Sequence, residues 1–185
     1  MGEPGTKTLL SLDELEAAGN LHSGRKHILS ILVENKAGVL TRIAGLFARR
    51  GFNIDTLTVG PTEDEQYSRI TLTFDGAMHS VDQVTKQLHK LINVLKIRDL
   101  EPADTVSREM ALFKVSADGV SRGELMQVVE IFRGRIIDVT RRSVIVEVTG
   151  THEKIQAFER MVRPFGLVEM ARTGEIAISR GRGET

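Results

Sequence analysis

The sequence predicts an α+β chain in which the order βαββαβ occurs twice, with antiparallel sheets and the helices on one face. Three observations predict it. Short runs rich in β-branched residues alternate with segments whose apolar residues recur every three or four positions, so strand and helix periods take turns along the chain. That alternation runs once from His27 to Leu100 and again from Met110 to Ile178. Between the two lies the polar stretch Glu101 to Ser107, broken by Pro102.

The first unit opens with His27 to Val33, a β-rich apolar run that ends in the turn-like Glu34-Asn35-Lys36-Ala37-Gly38. Val39, Leu40, Ile43, Leu46 and Phe47 then fall at helical spacing, Arg49 and Arg50 face the negative end of the helix dipole, and Gly51 stops the helix. Phe52 to Val59 reads as extended, Gly60 to Glu65 as a turn, and Ser68 to Phe74 as an alternating strand, which together make a hairpin. Ser80 and Gln83 form a capping box before a helix carrying Val84, Leu88, Leu91 and Ile92, and Val94 to Leu100 closes the unit as a strand. The second unit repeats this. Met110 to Ser116 is extended, and Ser121 with Glu124 makes a capping box for a helix bearing Leu125, Val128, Val129 and Phe132. Ile136 to Val139 and Val144 to Val148 form a hairpin, Ile155, Phe158, Met161 and Val162 mark a helix, and Leu167 to Ile178 reads as one closing strand. This is the ferredoxin-like split βαβ topology twice over, two ferredoxin-like domains in tandem. Because Ile28 to Val33 is apolar on both alternations, the sheet face away from the helices is expected to be covered by another domain or subunit.

Composition narrows the function. The 185 residues carry 25 Lys plus Arg and 25 Asp plus Glu, so no bulk field draws the chain to nucleic acid or anionic lipid. With no cysteine, disulfides, thiolate metal sites and a catalytic thiol are excluded. No apolar run approaches the roughly 20 residues that span a bilayer, and the reading is a soluble cytoplasmic protein without a membrane partner. The first strand offers no aromatic and Ser68 to Phe74 only Phe74, which disfavours base stacking and nucleic acid as a partner. His22, His27, His79, His89 and His152 lack ligand spacing, so no metal is expected, and no phosphate loop or nucleophile elbow is present to suggest a catalytic residue.

The most informative segment is Glu34 to Leu40, where a strand gives way to a helix. Unpaired N–H groups with partial positive charge suit a small carboxylate there, and Gly38 lets a ligand approach the backbone. The Asn35 side-chain oxygen can accept from an ammonium group, so the segment suits a free amino acid. The plain alternative is that Asn35 caps the helix and Gly38 relaxes the turn.

Val33 to Leu40, Ile43 to Ile54 and Leu57 to Thr62 together resemble the ACT domain of the acetolactate synthase (acetohydroxyacid synthase) small subunit. The resemblance continues through Lys86 to Leu91, Glu130 to Val139 and Gly174 to Gly181, and so covers nearly everything from Lys26 onward. It implies a non-catalytic regulatory subunit that binds the large catalytic subunit, raises its activity and confers feedback inhibition by a branched-chain amino acid, valine foremost. Thiamine diphosphate, Mg and FAD would belong to the catalytic subunit, and no cofactor to this chain. The resemblance also implies a homodimer whose effector lies between ACT domains of two chains. Asn35, Ala37, Gly38 and the backbone of Val39 and Leu40 would come from one chain, Asn53 and Ile54 from the other. Asn53 has a plainer reading as a turn residue at the entry to a strand. The resulting plan is a flexible arm at 1–25, an ACT effector-binding domain at 26–101, a linker at 102–108, an ACT-like ferredoxin domain at 109–179 and a tail at 180–185. Ala117 to Ser121 lacks an Asn-x-x-Gly arrangement, so the second domain is expected to be architectural or a docking surface. The alternative function is a stand-alone ACT-type amino-acid sensor acting on another partner.

Overall fold

The computed structural model describes residues 26–76, 80–119, 121–181 and 185. The expected N-terminal arm, with His22, lies outside them, as do His79 and residues 182–184 of the tail. The elements in order are β1 (Lys26–Glu34), α1 (Val39–Arg50), β2 (Thr56–Pro61), β3 (Tyr67–Asp75), α2 (Val81–Leu88), β4 (Val94–Asp99), β5 (Thr105–Ser116), α3 (Ser121–Ile131), β6 (Arg135–Val139), β7 (Ser143–Gly150), α4 (His152–Val162), β8 (Leu167–Arg172) and β9 (Ile176–Ser179). Short 3-10 turns at Pro102–Asp104 and Arg163–Phe165 complete it. The sheets run β2-β3-β1-β4 and β6-β7-β5-β8, every pairing antiparallel, so the βαββαβ order is realised twice. No helix of the described residues is long and apolar enough to cross a membrane.

Period-two alternation sends Leu29, Ile31 and Val33 of β1 toward the helices, where they meet Ile43 and Phe47 of α1, Val84 and Leu88 of α2, and Ile70 and Leu72 of β3. All nine are 2% exposed or less. The second core repeats the scheme: Ala111, Phe113 and Val115 of β5 pack with Leu125, Val129, Ile155 and Phe158 and with three valines of β7. Phe158 sits edge-on to Phe113 at 4.9 Å and to Phe132 at 5.4 Å. Full burial of each such side chain contributes about 1.5–3 kcal/mol, so each domain holds a core of its own.

Several boundaries depart from the sequence reading. Phe52 to Asp55 precede β2 instead of belonging to it; Phe52 and Ile54 pack on the core, and Asp55 alone donates its N–H to the Thr73 carbonyl, at 2.9 Å. Helix α2 ends at Leu88; Leu91 still packs on the core, but Ile92 is 87% exposed because the chain has already turned toward β4. Ser80 does cap α2, accepting from the Gln83 N–H at 3.3 Å. Ser121 instead stands inside α3 as its first residue, and its hydroxyl donates to Asp118 Oδ1 at 2.9 Å, a bond directed away from the N–H groups that a Ser121–Glu124 capping box would serve.

The largest departure lies between the domains. Residues 105–108, read as part of a linker, are strand: β5 is 12 residues long, its first third pairing with β9 and its remainder with β7 and β8. Leu167 to Ile178 is correspondingly two strands, broken at Thr173–Glu175. Thr105 pairs with Ser179 and Arg108 with Ile176, and the resulting ribbon places β9 against β1. Ala177 there joins Ile28 and Leu100 in a small cluster of its own. Ile28, one of two apolar outward residues of β1, is thus covered by a strand of the second domain, while Leu32, the other, is half-buried and outside this cluster. Gly174 makes the approach possible: a Cβ on it would lie 2.5 Å from Thr58 Oγ1 and 3.3 Å from the Leu57 carbonyl carbon.

Candidate functional site

Strand β1 ends at Glu34, and the next four residues, Asn35 to Gly38, are all exposed. Gly38 is the N-cap of α1 at φ +83°, a left-handed conformation that glycine adopts without a Cβ penalty, and no side chain caps the helix. Asn35 is therefore not the cap. Its Nδ2 donates to the Glu65 carbonyl at 2.9 Å and its backbone N–H to the Gln66 carbonyl at 2.7 Å, which ties the end of β1 to the β2–β3 turn. The side-chain Oδ1 is left as an acceptor.

Among the described residues, the N–H groups of Gly38, Leu40 and Thr41 meet no backbone acceptor, so the first turn of α1 presents donors at the positive end of its dipole. Val39 is 6% exposed and its N–H donates to the Lys36 carbonyl at 3.4 Å, whereas Leu40 is 41% exposed and offers an apolar wall. Ala37 has too small a side chain to block the approach. Glu34 lies beside this turn. A hydrogen bond from Asn93 Nδ2 at 2.5 Å, then one from Lys36 Nζ at 3.1 Å, hold its carboxyl below the ordinary range. Arg42 Nη1 donates in turn to Asn93 Oδ1 at 3.1 Å, so the acid beside the turn is held by donors on both sides.

Asn53 and Ile54 lie elsewhere. Asn53 is exposed, its Nδ2 donating to Asp55 Oδ1 at 2.9 Å, while Ile54 is half-buried against the first core. Asp55 bonds the Thr73 carbonyl and Thr73 pairs with Ile28, near the start of β1, whereas Asn35 follows its end. Roughly seven register steps separate the two ends, about 23 Å at ~3.3 Å per residue. One chain thus brings Asn35, Ala37, Gly38, Val39 and Leu40 together and keeps Asn53 and Ile54 apart from them. A single chain therefore does not place the two groups around one ligand.

The matching junction of the second domain is built differently. Arg122 Nη2 donates to the carbonyls of Ala117, Thr140 and Arg141 at 2.9, 2.7 and 3.0 Å, which ties the end of β5 to the β6–β7 turn through a charged side chain where the first domain uses Asn35.

A further cluster escaped the sequence reading. Glu109 of β5, 2% exposed, accepts from Arg172 Nε at 2.5 Å and approaches His152 Nδ1 at 3.0 Å. Lys26 Nζ donates to Glu175 Oε1 at 2.8 Å and lies 3.5 Å from the same imidazole nitrogen, so the group joins β1 to β5, α4, β8 and the β8–β9 turn. It borders a cavity of about 380 Å³ lined by Lys26, Thr105, Arg108, His152, Glu175 and Arg180, among others. Glu109, His152 and Glu175 are of metal-ligating type, with one atom of each within 4.8 Å of the others. Lys26 and Arg172 already supply one cation to each carboxylate, which removes the charge imbalance that draws a metal. Lys26 lies 126 to 149 residues from its partners, so no local motif announces the group. The one signal was Glu109 itself, which falls on the same alternation of β5 as the core residues Ala111, Phe113 and Val115.

Comparison with known proteins covers both domains. A family model described as an AHAS small subunit-like ACT domain matches residues 29–96, and one described as the small subunit of acetolactate synthase matches residues 108–181. A probable acetolactate synthase small subunit from Methanothermobacter thermautotrophicus is 54% identical over 156 residues, 84% of this chain and 93% of that one. The acetolactate synthase small subunit of Mycolicibacterium smegmatis is 48% identical over 155 residues, 84% and 91% of the two chains. Among solved structures, the acetolactate synthase small subunit from Thermotoga maritima superposes with a TM-score of 0.79 at 43% identity, over 86% of this chain and 99% of that one.

Proposed function

Because the chain belongs to the acetolactate synthase small-subunit family, we propose that it docks on the catalytic subunit, raises its activity and makes it sensitive to a branched-chain amino acid, valine foremost. In this reading the chain holds no cofactor, and thiamine diphosphate on the catalytic subunit supplies the chemistry. The observation that carries the effector reading is the exposed first turn of α1, with free N–H groups at Gly38, Leu40 and Thr41 beside the Asn35 amide.

Each part of an α-amino acid finds a partner. The carboxylate meets the N–H groups and the positive end of the helix dipole, and the ammonium meets Asn35 Oδ1. The branched side chain lies against Leu40 of one protomer and Ile54 of its partner, with the partner's Asn53 closing the polar side. The separation of Asn35 from Asn53 along the sheet supports a site shared by two copies. The absence of an Asn-x-x-Gly arrangement at Ala117 to Ser121, with Arg122 in the tying role of Asn35, supports one effector site per chain. Feedback follows when the effector binds one arrangement of the paired chains better than another, and a coupling of about 1–3 kcal/mol suffices.

Reconstitution with the catalytic subunit tests this. The expected result is a rise in acetolactate formation on adding the chain and a saturable loss of that rise with valine. No change in activity on mixing would overturn it and favour a stand-alone amino-acid sensor.

A further inference from the structure

The strand that leads into the candidate effector turn also reaches the interdomain cluster. β1 ends at Glu34, one residue before Asn35, and begins at Lys26, whose Nζ is bonded to Glu175. Nine residues of sheet-bound strand span about 30 Å at ~3.3 Å each, and β1 is held on both sides by β3 and β4. β1 is therefore a continuous, doubly paired link between the two ends.

At the far end lies an ion pair between the two domains, with its carboxylate buried. Glu175 is 4% exposed and its Oε2 has no hydrogen-bond partner, so Lys26 supplies the cation that this buried carboxylate needs. Separating the two leaves a buried unpaired charge, which disfavours intermediate displacements and favours two discrete arrangements. The other members belong to the body of the second domain. Glu109 and Arg172 flank one another on β5 and β8, and His152 opens α4. Glu175 also begins the link to β9, which covers Ile28 of the first sheet, and Gly174 seats the same turn against Thr58.

We propose that this cluster, with the β9 strap beside it, is the element that carries effector occupancy at the start of α1 into the second domain. The proposal rests on the effector reading given above. It assigns Lys26 and Glu175 a role in coupling and none in holding the ligand at the start of α1 or in any catalytic chemistry.

The test uses the full chain carrying Lys26→Met or Glu175→Gln, each reconstituted with the catalytic subunit and titrated with valine, while calorimetry follows valine binding to the free chain. Activation and valine affinity are expected within about threefold of the wild type, with the half-inhibitory concentration raised ~tenfold or more. Lys26→Arg, which keeps the cation, is expected to remain inhibitable. Unchanged inhibition in both variants overturns the proposal while the effector reading stands. Loss of activation together with inhibition in both marks the cluster as a structural joint and also overturns it. Absence of any valine response in the wild type overturns the effector reading and the proposal with it.

Discussion

Replacing Gly38 with Asp places a carboxylate where the effector carboxylate is proposed to sit. Gly38 lies at φ +83° with nothing within 4 Å of the position a Cβ would occupy, so the side chain has room and the cost is conformational. A non-glycine residue in that region costs about 1–2 kcal/mol, and a negative charge at a helix N-terminus returns ~0.3–1 kcal/mol, so the fold should survive. Two like charges about 4 Å apart repel by ~1 kcal/mol in water and ~4 kcal/mol at an effective dielectric near 20. For an exposed turn an intermediate value of about 2 kcal/mol is appropriate, a loss of roughly 30-fold in affinity. Gly38→Ala carries the same backbone strain without the charge and is the control. The assay is valine inhibition of the reconstituted enzyme at two ionic strengths, with activation measured in parallel. Gly38→Asp should activate normally and resist valine, and salt should narrow the gap to Gly38→Ala. Inhibition of Gly38→Asp at the wild-type valine concentration, or an equal loss in Gly38→Ala, would refute charge repulsion as the cause.

Other expected outcomes concern the frame that holds this turn. Phe113, wholly buried between β5 and α4, should cost about 3–5 kcal/mol on truncation to Ala, read as a fall in thermal midpoint. Gly174→Ala drives a Cβ against Thr58 and Leu57 and should destabilise by about 1–3 kcal/mol, whereas Gly60→Ala, with open space around it, should change less in the same melt. Glu34 is held below its ordinary value of 4.5 by Asn93 first and Lys36 second, so its contribution is present above that value and lost as pH falls through the lowered one. The urea midpoints of wild type and Glu34→Gln should accordingly converge as pH falls below the ordinary carboxylate range. A gap that widened on acidification would contradict the assignment.

The sequence disclosed what periodicity controls and little of what distant segments build. β1, α1 and the two hairpins followed from alternation and helical spacing because a single core face decides those residues. β9 did not: Leu167 to Ile178 reads as one strand only if the polar Arg172-Thr173-Gly174-Glu175 is passed over, and that stretch holds the turn at which the chain meets the other domain. The same partner explains why Thr105 to Arg108 are strand in a stretch whose composition suggests coil. At the candidate site the turn and its glycine were legible, but the cap was not: Gly38 takes that position and Asn35 bonds across to Glu65, thirty residues away. Glu109, His152 and Glu175 are brought together by distant parts of the second domain, and Lys26 joins them from the first, so no local pattern marks the group.

The central claim is that the start of α1 holds a branched-chain amino acid with help from a second copy of the chain. A calorimetric titration of the purified protein with valine, run beside Asn35→Ala and Asn53→Ala, tests it most directly. The account predicts saturable binding at one valine per chain, weakened in both variants although the two asparagines stand at opposite ends of one sheet. Binding that neither substitution weakens would contradict it.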